Sequence, residues 1–478
     1  MPAAAPALIW FREDFRLADN AALSAAAQDG LPLLCVFVLD EAALPGAAAR
    51  WWLNGALRSL DASLREHGGC LHILRGGARE LIPALARANG ACTVHWNRRY
   101  DRTGREIDTD VKATLKASGI PAHSFGGALL YEPWTVRTRT NTPFQVFTPF
   151  WKAARQLGEP RPPLPVPAKL TFSRLPEAFQ SSELSPQQCD LLPVSPDWAS
   201  GLRDTWQPGE APAQQALTTF VSDLLPDYAS HRDHPAVPAT SRLSPYLRFG
   251  HVTPGQLWHA IAQADAPAVD KDKFFAELGW REFAWSILFE RPDVATRNLR
   301  PEFDALPWRT DPASLKAWGM GRTGYPLVDA GMRELWHTGW MHNRVRMVVA
   351  SFLVKHLLID WREGERWFTD TLVDHDPASN PMNWQWNAGT GVDAAPFFRI
   401  MNPILQSEKF DADGDYIRHW VPELARVPAA MIHAPWAADQ QVLAACGVTL
   451  GRDYPHPVVD HRIARERALA AWKELRGA

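Results

Sequence analysis

Cysteine is scarce in this sequence and has no pattern. The five residues, Cys35, Cys70, Cys92, Cys189 and Cys446, form no Cys-x-x-Cys pair, which argues against a zinc site or a disulfide framework and for a reducing compartment. No metal is expected. Long hydrophobic runs are missing as well, and Met1 to Ala7 is alanine and proline without a basic segment, so a cytoplasmic protein without a membrane span is expected. The formal net charge is only −3. A polyanionic partner would therefore have to be met by a local patch of Arg and Lys, not by a global field. The Gly-x-Gly-x-x-Gly fingerprint is absent after the first apolar run, where Arg12-Glu13-Asp14-Phe15-Arg16 stands instead; a dinucleotide site of the nicotinamide type is excluded. No internal repeat points to a solenoid.

Tryptophan and proline are plentiful. Of 22 tryptophans, 15 lie from Trp206 onward, a large excess of the most easily oxidised side chain in one half of the chain, although core packing is the plain reading of large aromatics. Of 40 prolines, nine fall between Pro160 and Pro196, as in a linker. A chain of 478 residues with a 46% hydrophobic and 22% charged composition is expected to be globular and to form two domains. Residues 1–135 are expected to form an α/β domain, 136–205 a Pro-rich interdomain linker, and 206–478 a large all-α domain. Before the linker, apolar runs at 8–10, 33–39, 71–74 and 93–96 alternate with amphipathic stretches at 50–67, 78–89 and 105–118, the rhythm of βαβ units and a doubly wound parallel sheet. After it, segments 211–225, 254–264, 271–289, 326–338, 342–358 and 364–372 carry apolar residues at three-and-four spacing, so helices are expected.

Chemistry concentrates between Trp336 and Trp386, with an earlier contribution from 240–281. Thr240, Ser241, Arg242, Leu243 and Ser244 bring hydroxyls and a guanidinium to the start of an expected helix, a cradle for a diphosphate; taken alone, such a pattern is more often an N-cap. Asp374 and Asp376 lie two apart in a loop, where they can accept hydrogen bonds from ring or ribose donors, with a helix cap as the plainer alternative. Arg346 is placed to pair with one of them. Helical spacing puts Glu277 and Arg281 on one face with Trp280 beside them, which by itself reads as an exposed ion pair flanking a core tryptophan.

These residues sit within longer ordered motifs: Trp10-Phe11-Arg12-Glu13-Asp14-Phe15-Arg16-Leu17, Gly324-Tyr325-Pro326-Leu327-Val328-Asp329-Ala330 and Phe398-Arg399-Ile400-Met401-Asn402-Pro403. Over nearly its whole length the chain resembles the DNA photolyase and cryptochrome family. The resemblance implies FAD held in the helical domain in a folded conformation, with Tyr228, Thr240, Ser241, Arg242, Leu243 and Ser244 as its cradle. Arg281, Arg346, Asp374, Asp376 and Asn380 would surround the flavin, Asn380 opposite N5. It further implies that Glu277 hydrogen-bonds a damaged base pair, that Trp280 stacks on it, and that Asn343, Met347 and Trp386 wall the same pocket. Arg232, Arg344 and Arg399 match positions at DNA phosphates, and Arg281 falls beside the DNA residues as well as the flavin. Trp384, Trp361 and Trp308 match an electron relay between flavin and surface.

Within that family, enzymes acting on six-four products usually carry histidines where this chain has Asn343 and Met347, and signalling cryptochromes often carry a long C-terminal tail, which this sequence lacks. The implied activity is a light-driven carbon–carbon lyase in which photoexcited FADH⁻ gives an electron to a cyclobutane pyrimidine dimer flipped out of UV-damaged DNA. A monomer without an obligate protein partner is expected, and a cryptochrome-type blue-light photoreceptor is the alternative. Gly279 replaces a bulkier residue common in many bacterial enzymes. Folate-binding relatives carry an Asn-Glu pair where this chain has Thr103-Gly104. A second, antenna chromophore of the folate, deazaflavin or flavin type, or none, stays open.

Overall fold

Strands buried on both faces must consist of continuous apolar runs, and β1 (Ala7–Phe11) and β2 (Leu33–Leu39) do, with every residue buried. In the computed structural model, residues 5–41 and 44–477 are described; Met1 to Ala4 of the alanine- and proline-rich start lie outside them. With β3 (His72–Arg75), β4 (Thr93–Asn97) and β5 (Ala122–Phe125) these strands form a parallel sheet in the order β5-β4-β1-β2-β3. A short β6 (Glu183–Leu184) adds antiparallel to β3. The connections carry α1 (Ala21–Gln28), α2 (Ala47–Glu66), α3 (Ala78–Ala88) and α4 (Arg102–Ala117). Alternate strand residues Leu8, Trp10, Leu34, Val36 and Leu74 pack with Ile82 and Leu85 of α3 and Val111 and Leu115 of α4, as the two-residue period of a strand requires.

In such a sheet the ligand crevice lies at the ends of the two strands where the order reverses, here β1 and β4. The protein fills that place itself. Arg12 lies 4.5 Å from the Trp10 ring centroid, donates to Asp108 Oδ1 at 2.7 Å and to the Asn97 carbonyl at 2.5 Å, while Asn97 Nδ2 donates to Asp14 Oδ2 at 2.6 Å. The residues that replace the glycine fingerprint thus form a buried polar network.

The chain forms two compact units, and their boundaries do not follow the segment 136–205 expected as a linker. The first comprises Met1–Ala199, Trp206–Pro226 and Ser241–Pro292; the second comprises Ser200–Thr205, Asp227–Thr240 and Asp293–Ala478. Most of 136–205 is built into the first unit, where it supplies α5 (Phe147–Gln156) and β6. Residues 241–292 join that unit through specific contacts. Arg16 donates to the Gly250 carbonyl at 2.9 Å, and Trp52 Nε1 donates to His251 Nε2 at 3.1 Å. Gly250 adopts φ +62°, and a Cβ there would lie 2.2 Å from the Glu13 carbonyl, so only glycine fits.

The second unit is helical around one core. Helices Pro326–Thr338, Asn343–Ser351, Trp361–Thr371, Ser379–Ala388 and His461–Gly477 contribute side chains such as Val328, Val349, Phe368, Trp384 and Ala468. The first two begin on Pro326 and on Asn343 after the His342 cap, in keeping with helix-start chemistry. A π-turn, Phe352–His356, extends the second of them. Among the described residues no helix is long and apolar enough to cross a membrane, and no cluster of three His, Cys, Asp or Glu is placed to hold a metal.

Candidate functional site

In the first unit the helix Ala268–Glu290 presents Glu277, Trp280 and Arg281, but not with Glu277 and Arg281 paired as their spacing suggests. Glu277 Oε1 lies 3.3 Å from Lys273 Nζ, one turn earlier. Arg281 Nη1 donates to the Ala128 carbonyl at 2.8 Å and approaches Glu282 Oε1 at 3.4 Å. Glu282 draws it there. This carboxylate is buried, accepts the amides of Leu130 and Tyr131 at 2.9 and 3.2 Å, and has its pKa pushed up to about 7 by burial, an effect Arg281 opposes. The Arg281 guanidinium is thereby committed to the 128–131 loop. Trp280, half-buried, stacks on Phe147 with ring centroids 3.8 Å apart and planes 10° from parallel. Gly279 makes room for a further ring: a Cβ there would lie 2.7 Å from Trp151.

The hydroxyl-rich segment of this unit turns sharply. Arg242 adopts φ +51° with its guanidinium 4.5 Å from the Trp206 ring centroid, and Leu243 follows in the right-handed region. Consecutive residues of opposite hand turn their N–H groups to one side, a concavity suited to an anion. The Leu243 amide donates to Ser241 Oγ at 3.4 Å, and Ser244 begins the helix Ser244–Arg248.

The second unit holds the remaining candidates. Tyr228 is buried at the start of a helical turn and accepts a hydrogen bond on its hydroxyl from Arg232 Nη1 at 3.2 Å, with the guanidinium 5.3 Å from the ring centroid. Thr240 is half-buried at the edge of this segment. Arg344 pairs with Asp233 at 2.5 Å and lies 4.4 Å from the Phe410 centroid. Of the three arginines matched to phosphates, Arg232 is buried, Arg344 is half-buried and ion-paired, and Arg399 is exposed. Asn343 opens its helix exposed to solvent, and Met347, one turn later, is half-buried, as is Trp386.

Arg346 and Asp374 form the expected pair: Nη2 lies 2.8 Å from Oδ2, while Arg346 Nε donates to the Met341 carbonyl at 2.7 Å. Asp374 is buried, and its other oxygen, Oδ1, accepts no hydrogen bond among the described residues. Asp376 serves partly as the cap that was its plainer reading, with Oδ1 accepting the amides of Ala378 and Ser379 at 3.0 and 2.6 Å. Asn380, buried on the next helix, donates through Nδ2 to Glu365 Oε1 at 3.0 Å, and Thr369 Oγ1 donates to the same oxygen at 3.0 Å. Burial raises the pKa of Glu365 and these two hydrogen bonds oppose the rise. Sequence reasoning missed Glu365 and Thr369. Their four-residue spacing places them on one helical face, but nothing local ties that face to Asn380.

Trp384 is buried against Phe368, at 5.0 Å between centroids, and Trp318, at 6.2 Å. It fills the groove left by Gly364, where a Cβ would lie 2.1 Å from the indole. Trp361, fully buried, donates from Nε1 to Asn298 Oδ1 at 2.9 Å, and Trp308 is half-buried at the margin of the same core. A second run of rings, missed in the sequence, leads from Trp384 through Trp318 and Trp367, 6.4 Å apart, to Trp336, 6.4 Å further and 61% exposed.

A buried carboxylate oxygen without a donor is an unmet demand, and Asp374 Oδ1 fits an N–H or hydroxyl of a flavin. The backbone concavity at Arg242 and Leu243 fits a diphosphate. At the folate position, by contrast, Gly104 lies in the first turn of α4, where a Cβ would come 2.5 Å from Arg99, leaving no room for a glutamate.

Comparison with known proteins agrees with these features. Residues 274–474 match the family model described as the FAD binding domain of DNA photolyase, and residues 7–168 that described as DNA photolyase. The chain is 49% identical over 475 residues to a deoxyribodipyrimidine photo-lyase of Agrobacterium fabrum, covering 99% of this chain and 98% of that one. It is 38% identical to cryptochrome-1 of Arabidopsis thaliana over 98% of this chain and 70% of the other. Its structure resembles a bacterial class III photolyase from Agrobacterium tumefaciens with a TM-score of 0.97 at 48% identity, covering 100% and 99% of the two chains.

Proposed function

The chain belongs to the DNA photolyase and cryptochrome family, and from that membership we propose that it is a light-dependent deoxyribodipyrimidine photo-lyase that binds FAD and splits cyclobutane pyrimidine dimers in UV-damaged DNA. The observation that carries the cofactor assignment is the Arg346–Asp374 pair with its unsatisfied carboxylate oxygen. Asp374, Asp376, Arg346 and Asn380 would hold the flavin ring and ribose, and Tyr228, Thr240, Ser241, Arg242, Leu243 and Ser244 the diphosphate end. When bound as FADH⁻, the cofactor supplies on blue or near-UV excitation the electron that opens the cyclobutane ring, and takes it back, so that no net redox change occurs.

The protein's own residues bind and orient. A dimer pairs and stacks poorly, so extruding it from the duplex costs less than extruding an intact pair. By family membership Trp280 would offer an indole face to the extruded bases and Glu277 an acceptor, and Asn343, Met347 and Trp386 are the further candidates for contact with the lesion. Arg232, Arg344 and Arg399 would meet backbone phosphate, the local patch that a net charge of −3 hides. Trp384, with Trp361 and Trp308, relays electrons that restore the reduced cofactor. The enzyme acts as a cytoplasmic monomer.

The test is dimer repair. Purified protein with reduced FAD, given a dimer-containing oligonucleotide and blue light, restores the separate pyrimidines; intact dimers under those conditions refute the reading. The absorption spectrum of the protein and its extracted chromophores identifies FAD and any antenna of the folate or deazaflavin type together.

A further inference from the structure

Lys355 is an anomaly in the second unit. It lies in the π-turn Phe352–His356, is only 2% exposed, and is surrounded by the hydrophobic core. Its amine donates to one carbonyl, that of Arg399, at 2.8 Å, beside the ring of Phe397 at 5.8 Å. Burying an ammonium group with so few partners is costly, and the cost shows in a pKa pushed down to about 7, by burial first and by the charge of Arg399 second. A methionine of similar length would fill the same volume without that cost.

The partner explains what the amine does. One turn before Lys355, Ser351 Oγ accepts the amide of Met401 at 3.3 Å. Two side chains four residues apart therefore fasten the backbone at 399 and 401, and between and beside these ties Phe398 and Arg399 project into solvent, Phe398 57% exposed. The π-turn is a common device at functional sites because its extra residue redirects the side chains that follow.

We propose that Lys355 is a positioning residue for DNA binding, fixing the 396–402 loop so that Arg399 meets the phosphate backbone in one orientation. The proposal rests on the reading of Arg399 as a phosphate contact. Its signature is a trade of stability for function, since a residue kept only for packing would stabilise the fold and leave binding alone.

The test compares Lys355→Met, Lys355→Leu and Arg399→Ala in the full-length flavin-loaded protein. Lys355→Met is expected to melt no lower than the parent, to exchange the amides of 396–402 with deuterium faster, and to bind a dimer-containing duplex about fivefold more weakly with a shallower salt dependence, as for one mispositioned phosphate contact. Flavin absorption and photoreduction stay unchanged. Should Lys355→Met fail to fold, Lys355→Leu, which likewise offers no donor to the Arg399 carbonyl, carries the same exchange and binding measurements. Unchanged exchange in the folded variant overturns the proposal, as does faster exchange with full affinity while Arg399→Ala binds weakly. If Arg399→Ala itself binds as tightly as the parent, the phosphate reading fails and takes the proposal with it.

Discussion

Arg346 Nη2 and Asp374 Oδ2 lie 2.8 Å apart, and the second oxygen of that buried carboxylate accepts nothing from the described protein. Removing Asp374 does two things at once. It strands a guanidinium whose side chain is 26% exposed, and it deletes the acceptor that the proposed flavin would use. Asp374→Ala is expected to purify with little flavin, read as the ratio of 450 nm to 280 nm absorbance, and to lose roughly 3 kcal/mol of stability in urea titration. Full flavin occupancy in this variant would remove Asp374 from the cofactor site.

On the proposed relay, electrons for photoreduction pass through Trp384, whose ring contacts Trp318. Trp384→Phe is expected to block photoreduction of oxidised flavin, while repair continues once FAD is reduced chemically. Trp361→Phe and Trp318→Phe, tested singly, separate the two directions that leave Trp384, one through the proposed relay and one through the ring contact with Trp318. Undiminished photoreduction in Trp384→Phe contradicts both routes.

Trp280 is supported on one face by Phe147 at 3.8 Å. Trp280→Ala is expected to weaken binding of dimer-containing DNA by about 1–3 kcal/mol through lost stacking, with no change in flavin content. Equilibrium binding measured in the dark decides this, and unaltered affinity would show that the indole does not face the lesion.

Buried histidines set an acid limit to stability. His251 uses both ring nitrogens in one neutral tautomer, Nε2 accepting from Trp52 and Nδ1–H donating to the Phe15 carbonyl at 3.0 Å. A proton on Nε2 would face the indole N–H. Burial lowers the pKa of His251 and of His342 to about 4, and that of His356 to about 3. Unfolded, each titrates near 6.5, so below that pH the unfolded state binds more protons. Their contribution is complete above about 6.5 and is lost as the pH falls toward 4. Lys355, with its pKa lowered to about 7, already costs stability as the pH falls toward 7, and Glu282, raised to about 7, offsets part of the histidine loss below it. The three histidines together are expected to lower the urea midpoint between about pH 6.5 and 4.5, and no drop over that range would contradict the neutral assignment.

How far the sequence could be read depended on how local each signal is. The strand Leu33–Leu39 is visible at its observed bounds because both of its faces are buried and every residue is apolar. β5, Ala-His-Ser-Phe, escapes notice because it is short and polar and none of its residues is fully buried. The helix expected from 364 begins at Trp361, since Asp360 caps it through the Arg362 amide at 2.9 Å. The Arg346–Asp374 pair follows from chemistry and motif. The diversion of Arg281 to Ala128 does not, because it depends on Glu282 meeting a loop 151 residues away in sequence. Proline richness likewise points to an interdomain linker over 136–205, whereas α5 lies there and its Phe147 and Trp151 complete the surroundings of Trp280 and Gly279.

That last contact changes what can be engineered. Restoring a side chain at 279 alone would drive a methyl group into the Trp151 indole, and shrinking Trp151 alone would leave a void beside a bare helical backbone. The two positions form a single volume unit that only a paired exchange can refill. The two single variants should each lose stability, while the double variant Gly279→Ala with Trp151→Leu regains part of it. The absence of a side chain at 279 is therefore set by the ring of Trp151 and not by the helix that carries it.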